Sequence, residues 1–473
     1  MITRKRRTSI IIFLNSKQIE EVSKFKYLGI IIDNKFTFRD HIQDTAEKCT
    51  KLINALSKSS KLEWGLKYGA LRTIYTGAIL PLLSYAAPVW SKAMTKKFNQ
   101  KRITRVQRLM NIRISKAFRT TSNEALCVLT GLAPITIELQ EIVKKYDLAR
   151  NGDMNMETSL ELNKWPHPAD IPRIEGVHPK EAYVLNIYTD GSKSEDGVGS
   201  GVAIFQNNEL THQLKFRLDT NCSNNQAEQF AILKALQHVQ HHHKDITPKS
   251  VAVFSDSRIT LDSLKNKNNH SKLIEHIRHI LKLLNDDNWT IAFTWIKAHA
   301  GITGNEIADQ LAKQAAKGNS QPLYNKIPKS ALLTTLKQGS LEKWQEEWQN
   351  TQNGSETKQY FPIITERLKI QINLTSELTT MLTGHGKLRA YYHRFNIIDD
   401  PTCICGGGSQ TAHHLLYDCQ LYSKERMQLR DIITKNGDRW PLNKSQIIRK
   451  YQTKFRTFIS AIDFKSNQPI VIS

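Results

Sequence analysis

The sequence predicts a multidomain α/β protein, with a mixed five-stranded sheet and flanking helices in mid-chain. A mainly helical domain precedes the sheet and a small helical, cysteine-bearing tail follows it. Three observations predict this. A chain of 473 residues exceeds what one core fills, at about 100–200 residues per domain. Between residues 184 and 317 strand-type and helix-type periodicities alternate, as they do when helices pack on a sheet. Charge is also unevenly placed. Residues 1–180 hold 31 Lys+Arg against 16 Asp+Glu, residues 181–317 hold 15 of each, and residues 318–473 hold 21 against 13, within a net charge of +23. The middle segment is neutral and the outer ones carry the excess.

At the N-terminus two strand-type runs, 9–14 and 25–32, precede helical patterns over 41–62, 66–79 and 99–119. In the last of these Ile103, Val106, Leu109, Met110, Ile112 and Ile114 interleave with basic residues. No acid occurs between Glu63 and Glu124, while Lys92, Lys96, Lys97, Lys101, Arg102, Arg105, Arg108, Arg113, Lys116 and Arg119 all do. One-sign density of this kind is an electrostatic footprint for a phosphate backbone. Pro166, Pro168, Pro172 and Pro179 then punctuate 151–180, which reads as a linker.

Three strands are expected at 184–189, 199–205 and 211–218, forming an antiparallel meander. Asn224 can cap a helix with Ala227, Phe230, Ala231 and Ala235 inward. A buried strand at 251–255, a helix at 273–284, a strand at 290–295 and a helix at 305–317 complete the region. Beyond it a helix is expected at 330–349, with Trp344 and Trp348 one turn apart. From 382 onward the tail reads as irregular until a helix at 445–462. Runs such as 78–89 fall short of the roughly 18 residues of a membrane span, and 10–14 is too short for a signal-peptide core. The expected setting is therefore the nucleus or cytoplasm, without secretion or membrane partners.

Four acids stand where this architecture gathers side chains at one sheet edge. Asp190 ends the first strand, Glu228 lies early in the capped helix, Asp256 follows the buried strand, and Asp309 opens the last helix. Carboxylate oxygens are hard ligands suited to magnesium, and two such ions can serve phosphodiester cleavage. A second cluster, Cys403-x-Cys405-x8-His414-x4-Cys419, offers three thiolates and an imidazole to tetrahedral zinc, with Gly406, Gly407 and Gly408 forming a tight turn and His413 as the alternative ligand. His238, His241, His242 and His243 read as a solvated helix end, having no cysteine or acid at ligand spacing.

Four motifs, taken in order, resemble those of the RNase H family: Tyr188-Thr189-Asp190-Gly191-Ser192, Asn224-Asn225-Gln226-Ala227-Glu228, Phe254-Ser255-Asp256-Ser257, and the run from Trp295 through His299 and Gly304-Asn305-Glu306-Ile307-Ala308 to Asp309. The resemblance implies an RNase H-like fold and cleavage of the RNA strand of RNA·DNA hybrids with two Mg2+ ions, or Mn2+. It implies that Asp190 bridges the ions, that Glu228 and Asp256 complete one site, and that Asp309 with Asp190 forms the other. His299 would sit on a loop assisting proton transfer or product departure, a role that suits imidazole. Ser192, Asn225, Gln226 and Ser257 would contact substrate. Asn225 and Gln226 would do so in the minor groove, where the 2′-hydroxyl distinguishes RNA.

The flanks resemble the C-terminal part of jockey-like non-LTR retrotransposon reverse transcriptases, through Phe25-Lys26-Tyr27-Leu28-Gly29-Ile30-Ile31-Ile32-Asp33, Leu382-Thr383-Gly384-His385-Gly386 and Tyr392-His393-Arg394-Phe395. That resemblance implies a thumb-like region at 1–150, a linker at 151–180, the RNase H domain at 181–318, a helical connector at 319–372 and a zinc-knuckle-like C-terminal region at 373–473. The polymerase Asp pair belongs upstream of Tyr27-Leu28-Gly29. Asp286-Asp287 and Asp399-Asp400 read as loop acids, so no DNA synthesis is expected and any polymerase would come from another chain. The expected partners are RNA·DNA hybrid, and RNA or DNA held by the basic flanks. A non-catalytic nucleic-acid-binding remnant of a transposable element is the alternative.

Overall fold

The computed structural model describes residues 13–59, 66–152, 155–176, 183–243 and 246–464. These divide into two compact units. One is residues 151–335; the other joins residues 1–150 to 336–473.

In the first unit the meander is present as β1 (Leu185–Lys193), β2 (Val198–Gln206) and β3 (Glu209–Leu218). Helix α1 (Asn224–His242) follows, then β4 (Ser250–Ser255), α2 (Arg258–Lys265), α3 (Lys272–Asp286), β5 (Thr290–Trp295) and α4 (Thr303–Lys317). β1–β2 and β2–β3 pair antiparallel, while β4 pairs parallel with both β1 and β5. The expected five-stranded mixed sheet is therefore formed. It gains a sixth, two-residue strand at Glu175–Gly176, parallel to β5.

That extra strand comes from the segment read as a linker, whose described part packs into the unit. Leu160 N–H donates to His270 O at 2.8 Å, and the Trp165 ring lies 4.0 Å from the His270 ring. Prolines removed the periodicity that would have revealed this, because such a segment binds by isolated bridges rather than a regular ladder. Two smaller corrections follow. α1 is capped by Ser223, in a reciprocal capping box with Gln226, rather than by Asn224. α2 was not anticipated, its eight residues being too few to display helical periodicity.

Glycine allows the helices to approach the sheet. Gly201 lies directly across from Asp190 on β1, so an added side chain there would share the Asp190 face. A Cβ at Gly201 would sit 2.0 Å from Ala308 O, and one at Gly199 2.3 Å from Ala312 O. On the opposite face a Cβ at Gly191 would meet Glu228 N at 2.5 Å. Helix backbone thus rests on strand backbone, with Ala308, Ala312, Ala315 and Ala316 buried in the contact.

The other unit is mainly helical, as expected of both flanks. The run at 25–32 is a hairpin, Lys24–Tyr27 against Ile30–Asp33, turning through Leu28 (φ 44) and Gly29 (φ 82). A two-residue turn with both φ positive matches strand twist, so one apolar run hides two strands. Within the run expected at 9–14, only Phe13–Leu14 is seen as strand, because residues 9–12 lie outside the described residues. The pattern at 66–79 is an α-helix, Tyr68–Ile74, continued by a π-helical turn, Tyr75–Ile79.

The basic helix Lys97–Ser115 buries Ile103, Val106, Met110 and Ile114, together with Asn99, Gln107, Asn111 and Ser115. Gln107 satisfies this polar seam by donating to Ala133 O at 2.8 Å and accepting from Ile135 N at 2.9 Å. The tail read as irregular is helical, in pieces such as Ser376–Thr383, Ala412–Tyr417 and Ser423–Lys435, and the helix expected at 445–462 is split at Tyr451. Helices of six to nine residues give too few repeats for the eye. The tail packs on the N-terminal segment: Thr379 donates to Ser115 O at 2.6 Å, and Trp344 and Trp348 are buried in a core that includes Ala125 and Val128. Among the described residues no single helix is long and apolar enough to cross a membrane.

Gly201→Ala is expected to destabilise the sheet-bearing unit by about 3 kcal/mol, because the obstructing atom is backbone and cannot rotate away. A lowered urea midpoint at unchanged slope would show it.

Candidate active site

The carboxylates meet because four chain segments end at the same edge. β1 and β4 are parallel neighbours, Thr189 opposite Ser255, so Asp190 and Asp256 leave the sheet side by side. α1, held close by Gly191, brings Glu228 onto them. One oxygen from each of Asp190, Glu228 and Asp256 lies within 4.8 Å of the others. Asp309 lines the same cleft from α4, its carboxylate 2.6 Å from Lys313 Nζ one turn on. The cleft, of about 520 Å³, is also lined by Asn224, Asn225, Ser257, Arg258, Trp295 and His299.

The site is electrostatically loaded. Asp190 is 6 % exposed and Glu228 4 %. Burial, and then the charges of Asp256 and Asp309, push the Asp190 carboxyl up to about 8. Burial, and then Asp190 and Asp256, push Glu228 well above the usual carboxylate range. Glu228 Oε2 is buried without a hydrogen-bond partner, which is costly unless something cationic meets it. Asn305 donates to Asp256 Oδ2 at 3.4 Å, and Trp295 Nε1 holds Asp256 O at 3.0 Å.

His299 stands on the loop after β5 with φ 53, a left-handed conformation uncommon for a residue with a side chain, and is exposed at the cleft. Ser257 caps α2, its Oγ accepting from Thr260 N. Ser192, on β1, is half-buried and does not line the cleft.

Gln226 departs from expectation. It is 3 % exposed, and its amide Nε2 donates to Glu157 Oε2 at 2.8 Å and Lys326 O at 3.0 Å while its Oε1 accepts from Ser223 N. Its side chain is thus committed to the N-terminus of α1, and Asn224 joins Asn225 in the cleft instead. Two further residues escaped sequence reading. Trp295 is 48 % exposed, and the Arg258 guanidinium lies 5.8 Å from its ring centroid, giving a cationic, stacked ledge beside the acids. The available signal was a tryptophan ending a strand whose interior is otherwise buried.

In the other unit Cys403, Cys405, His414 and Cys419 converge, one ligand atom of each lying within 4.8 Å of the others. Cys403 Sγ is 3.7 Å from Cys419 Sγ, and Cys405 Sγ is 3.2 Å from His414 Nε2. Burial, the largest single influence, pushes the Cys405 thiol up, but hydrogen bonds from Gly407 N–H and with Cys403, His414 and Cys419 together outweigh it and draw the thiol down to about 6. His413 turns away, toward Asp418 and the Tyr417 ring. Of the basic residues on the helical segment, Lys92, Lys96, Lys97, Lys101, Arg105 and Arg119 are exposed. Arg108 instead holds Thr121 O and Asn123 Oδ1, and Arg113 holds Asn54 Oδ1.

Residues 182–317 match the RNase H family model. This part of the chain is a retrotransposon-type RNase H region. It is 35% identical over 142 residues to a retrovirus-related Pol polyprotein from type-1 retrotransposable element R1 4 of Nasonia vitripennis, covering 30% of this chain and 35% of the relative. It is 31% identical over 155 residues to a putative 115 kDa protein in type-1 retrotransposable element R1DM of Drosophila melanogaster, covering 33% and 15%. The chain thus spans about a third or less of these two relatives. Among solved structures, LC11-RNase H1 in complex with RNA/DNA hybrid is 21% identical, with a TM-score of 0.24, covering 28% of this chain and 98% of that one.

Two measurements follow from the charge arrangement. With the folded Asp190 carboxyl near 8 and its unfolded value near 4, the native state holds a proton that the unfolded chain has released between about pH 4 and pH 8. Stability of the metal-free unit therefore falls as pH climbs through that window and is lowest above it. Asp190→Asn removes one repelling charge, and at pH above 8 without metal it should be more stable than the parent by over about 1 kcal/mol. Thermal melts at pH 5, where the difference should be much smaller, and at pH 8.5 would check this. Separately, Gln226→Ala should lower stability by about 1–2 kcal/mol through the lost cap while leaving hybrid affinity within about twofold. Denaturation paired with a binding titration separates the two effects.

Proposed function

We propose that the RNase H region of this chain is an endoribonuclease that hydrolyses the RNA strand of RNA·DNA hybrids with two divalent ions. The observation that carries this reading is the meeting of Asp190, Glu228 and Asp256 around the unpartnered, buried Glu228 Oε2, in an open cleft shared with Asp309 and His299. A cluster of buried acids with so little cation is poised to bind one, and its oxygen donors fit Mg2+ or Mn2+. Asp190, Glu228 and Asp256 would hold one ion, and Asp190 with Asp309 the other, once Asp309 exchanges Lys313 for metal. Such ions supply positive charge to both the attacking and the leaving oxygen of the phosphodiester.

The chain's own residues do the rest. Asp190, at the β1–β4 edge, would fix where the scissile phosphate lies by holding the ions that meet it. Water adds at phosphorus as the P–O bond to the leaving sugar oxygen breaks, and that oxygen must take up a proton. His299, exposed at the cleft mouth, is placed to deliver it. Asn225, with Asn224, is positioned to test for a 2′-hydroxyl. The Arg258–Trp295 ledge offers a cation and an aromatic face to the strand alongside.

Cys403, Cys405, His414 and Cys419 would hold zinc. Ligands at about 2.3 Å from a tetrahedral ion stand about 3.8 Å apart, close to the observed Cys403–Cys419 sulfur separation of 3.7 Å. The exposed Lys92, Lys96, Lys97, Lys101 and Arg105 would supply phosphate contacts.

Purified chain and a labelled hybrid should give Mg2+-dependent RNA fragments, with the DNA strand intact. Asp190→Asn should abolish cleavage, and His299→Ala should slow it by about 100-fold or more, the contribution of a lost proton-transfer group. Undiminished cleavage by Asp190→Asn would overturn the assignment. Salt-sensitive hybrid binding without cleavage at any Mg2+ concentration would assign a non-catalytic nucleic-acid-binding remnant.

A further inference from the structure

Of the histidines at the end of α1, His241 and His242 are exposed, as their sequence spacing suggests, whereas His238 is half-buried and His243 buried. β3 contributes His212, two positions before the half-buried Leu214, and places it against His238 and His243. One ring nitrogen from each of the three lies within 4.8 Å of the others. His243, which closes α1, is 6 % exposed. Nε2 of His243 and Nε2 of His238 are both buried with no hydrogen-bond partner, so two imidazole nitrogens point at each other's company with nothing to satisfy them. His242, one turn from His238, stacks edge-on against it at 4.4 Å, while His241 turns back to Gln237 O.

We propose that His212, His238 and His243 form a transition-metal site, taking Zn2+ or a similar borderline ion, that clips the edge strand β3 to the C-terminal end of α1. Three considerations support it. Ligand chemistry comes first: three imidazoles without a carboxylate suit zinc, copper or nickel and are poor ligands for magnesium, which prefers oxygen. The donor separation comes second: three nitrogens at about 2.1 Å from a tetrahedral ion stand about 3.4 Å apart, so the present cluster closes on an ion through small side-chain rotations. The local field comes third: the carbonyl end of a 19-residue helix carries partial negative charge and favours a cation there.

The site is separate from the carboxylate cleft. Glu228 and His238 are ten residues apart on α1, about 15 Å along the helix axis. Its effect would be structural. β3 is the last strand of the sheet, and an edge strand tied to a helix end is held against fraying. Three protein ligands also leave a fourth position for water.

The test uses the full chain, stripped of metal and then dialysed against low-micromolar free Zn2+ with excess Mg2+ to occupy the carboxylates. Bound zinc is counted in the parent, in His212→Gln, in His238→Gln and in Cys405→Ser. Each histidine variant should hold one zinc fewer than the parent, and the loss from His212→Gln should be the same in the Cys405→Ser background. Zn2+ should also raise the melting temperature of the parent by several degrees more than that of His212→Gln. Zinc content equal to the parent's in both histidine variants would overturn the proposal, as would zinc lost to a chelator of merely micromolar affinity. Should His238→Gln misfold by circular dichroism, His212→Gln decides alone, since its side chain sits on the edge strand outside the core.

Discussion

Everything at the active edge depends on how closely two helices lie on the sheet. A helix separated from a sheet by ordinary side chains stands about 10 Å away, too far for its carboxylates to share an ion with one on a strand. Here Gly201 and Gly199 remove the side chains beneath α4, and Gly191 removes the one beneath α1. The alternation of the strand sends the first two to one face and the third to the other. Asp190 is thereby flanked by Asp309 from one face and Glu228 from the other, with Asp256 beside it in the sheet. The four acids are spread over 120 positions of sequence, and small residues at three backbone contacts bring them together.

That convergence works against stability. Each acid is a charge removed from water and set beside others of its sign, and the raised Asp190 and Glu228 carboxyls record the conflict. Elsewhere in the unit buried polar side chains find partners even where single atoms such as Arg278 Nε and Asn305 Oδ1 do not: Arg278 reaches Asn269 O, Leu264 O, Asn266 O and Glu275, and Ser200 Oγ donates to Ala227 O at 2.6 Å. The acids and the three histidines are exceptions of opposite kind. The acids gather negative charge at an open cleft, and the histidines gather imidazoles where β3 meets the end of α1. The same reasoning, an unsatisfied buried group asking for a ligand, therefore leads to a hard ion in one place and a softer one in the other.

Much of the sheet was legible because its strands are bounded by turn residues and its helices are long. Thr290–Trp295 falls where the alternation places it, and the four acids fall at element ends because chemistry at a sheet edge requires it. What escaped had a common cause, namely contacts between residues distant in sequence. His212 lies 26 positions before His238 with a turn and most of a helix between, so four clustered histidines looked solvated until β3 was placed beside them. Gln226 looked like a groove contact because it adjoins Asn224 and Asn225, which line the cleft; Glu157, 69 residues upstream, and Lys326 O show where its amide goes. The helical tail was missed for the opposite reason, since its pieces are too short for periodicity and are stabilised by burial against the N-terminal segment rather than by pattern.

The surroundings of Gln226 also bear on what constitutes the nuclease. The family match covers residues 182–317, yet the N-terminus of α1 is completed by groups outside it. Glu157 accepts from Gln226, Tyr324 donates to Glu157 at 3.3 Å, and Lys326 O accepts from Gln226. Ile327 N–H pairs with Asn155 O while Glu157 N–H pairs with Ile327 O, so the strands before and after the matched region bind each other as well as the helix. Glu157 is raised by burial and held by these two hydrogen bonds, a polar knot that would be left half-satisfied if either flank were absent. Since α1 carries Glu228, whatever fixes its first turn fixes one of the acids. The compact unit that carries the acids is therefore residues 151–335, and the described part of the proline-bearing segment ahead of the matched region helps to fix the helix that carries Glu228.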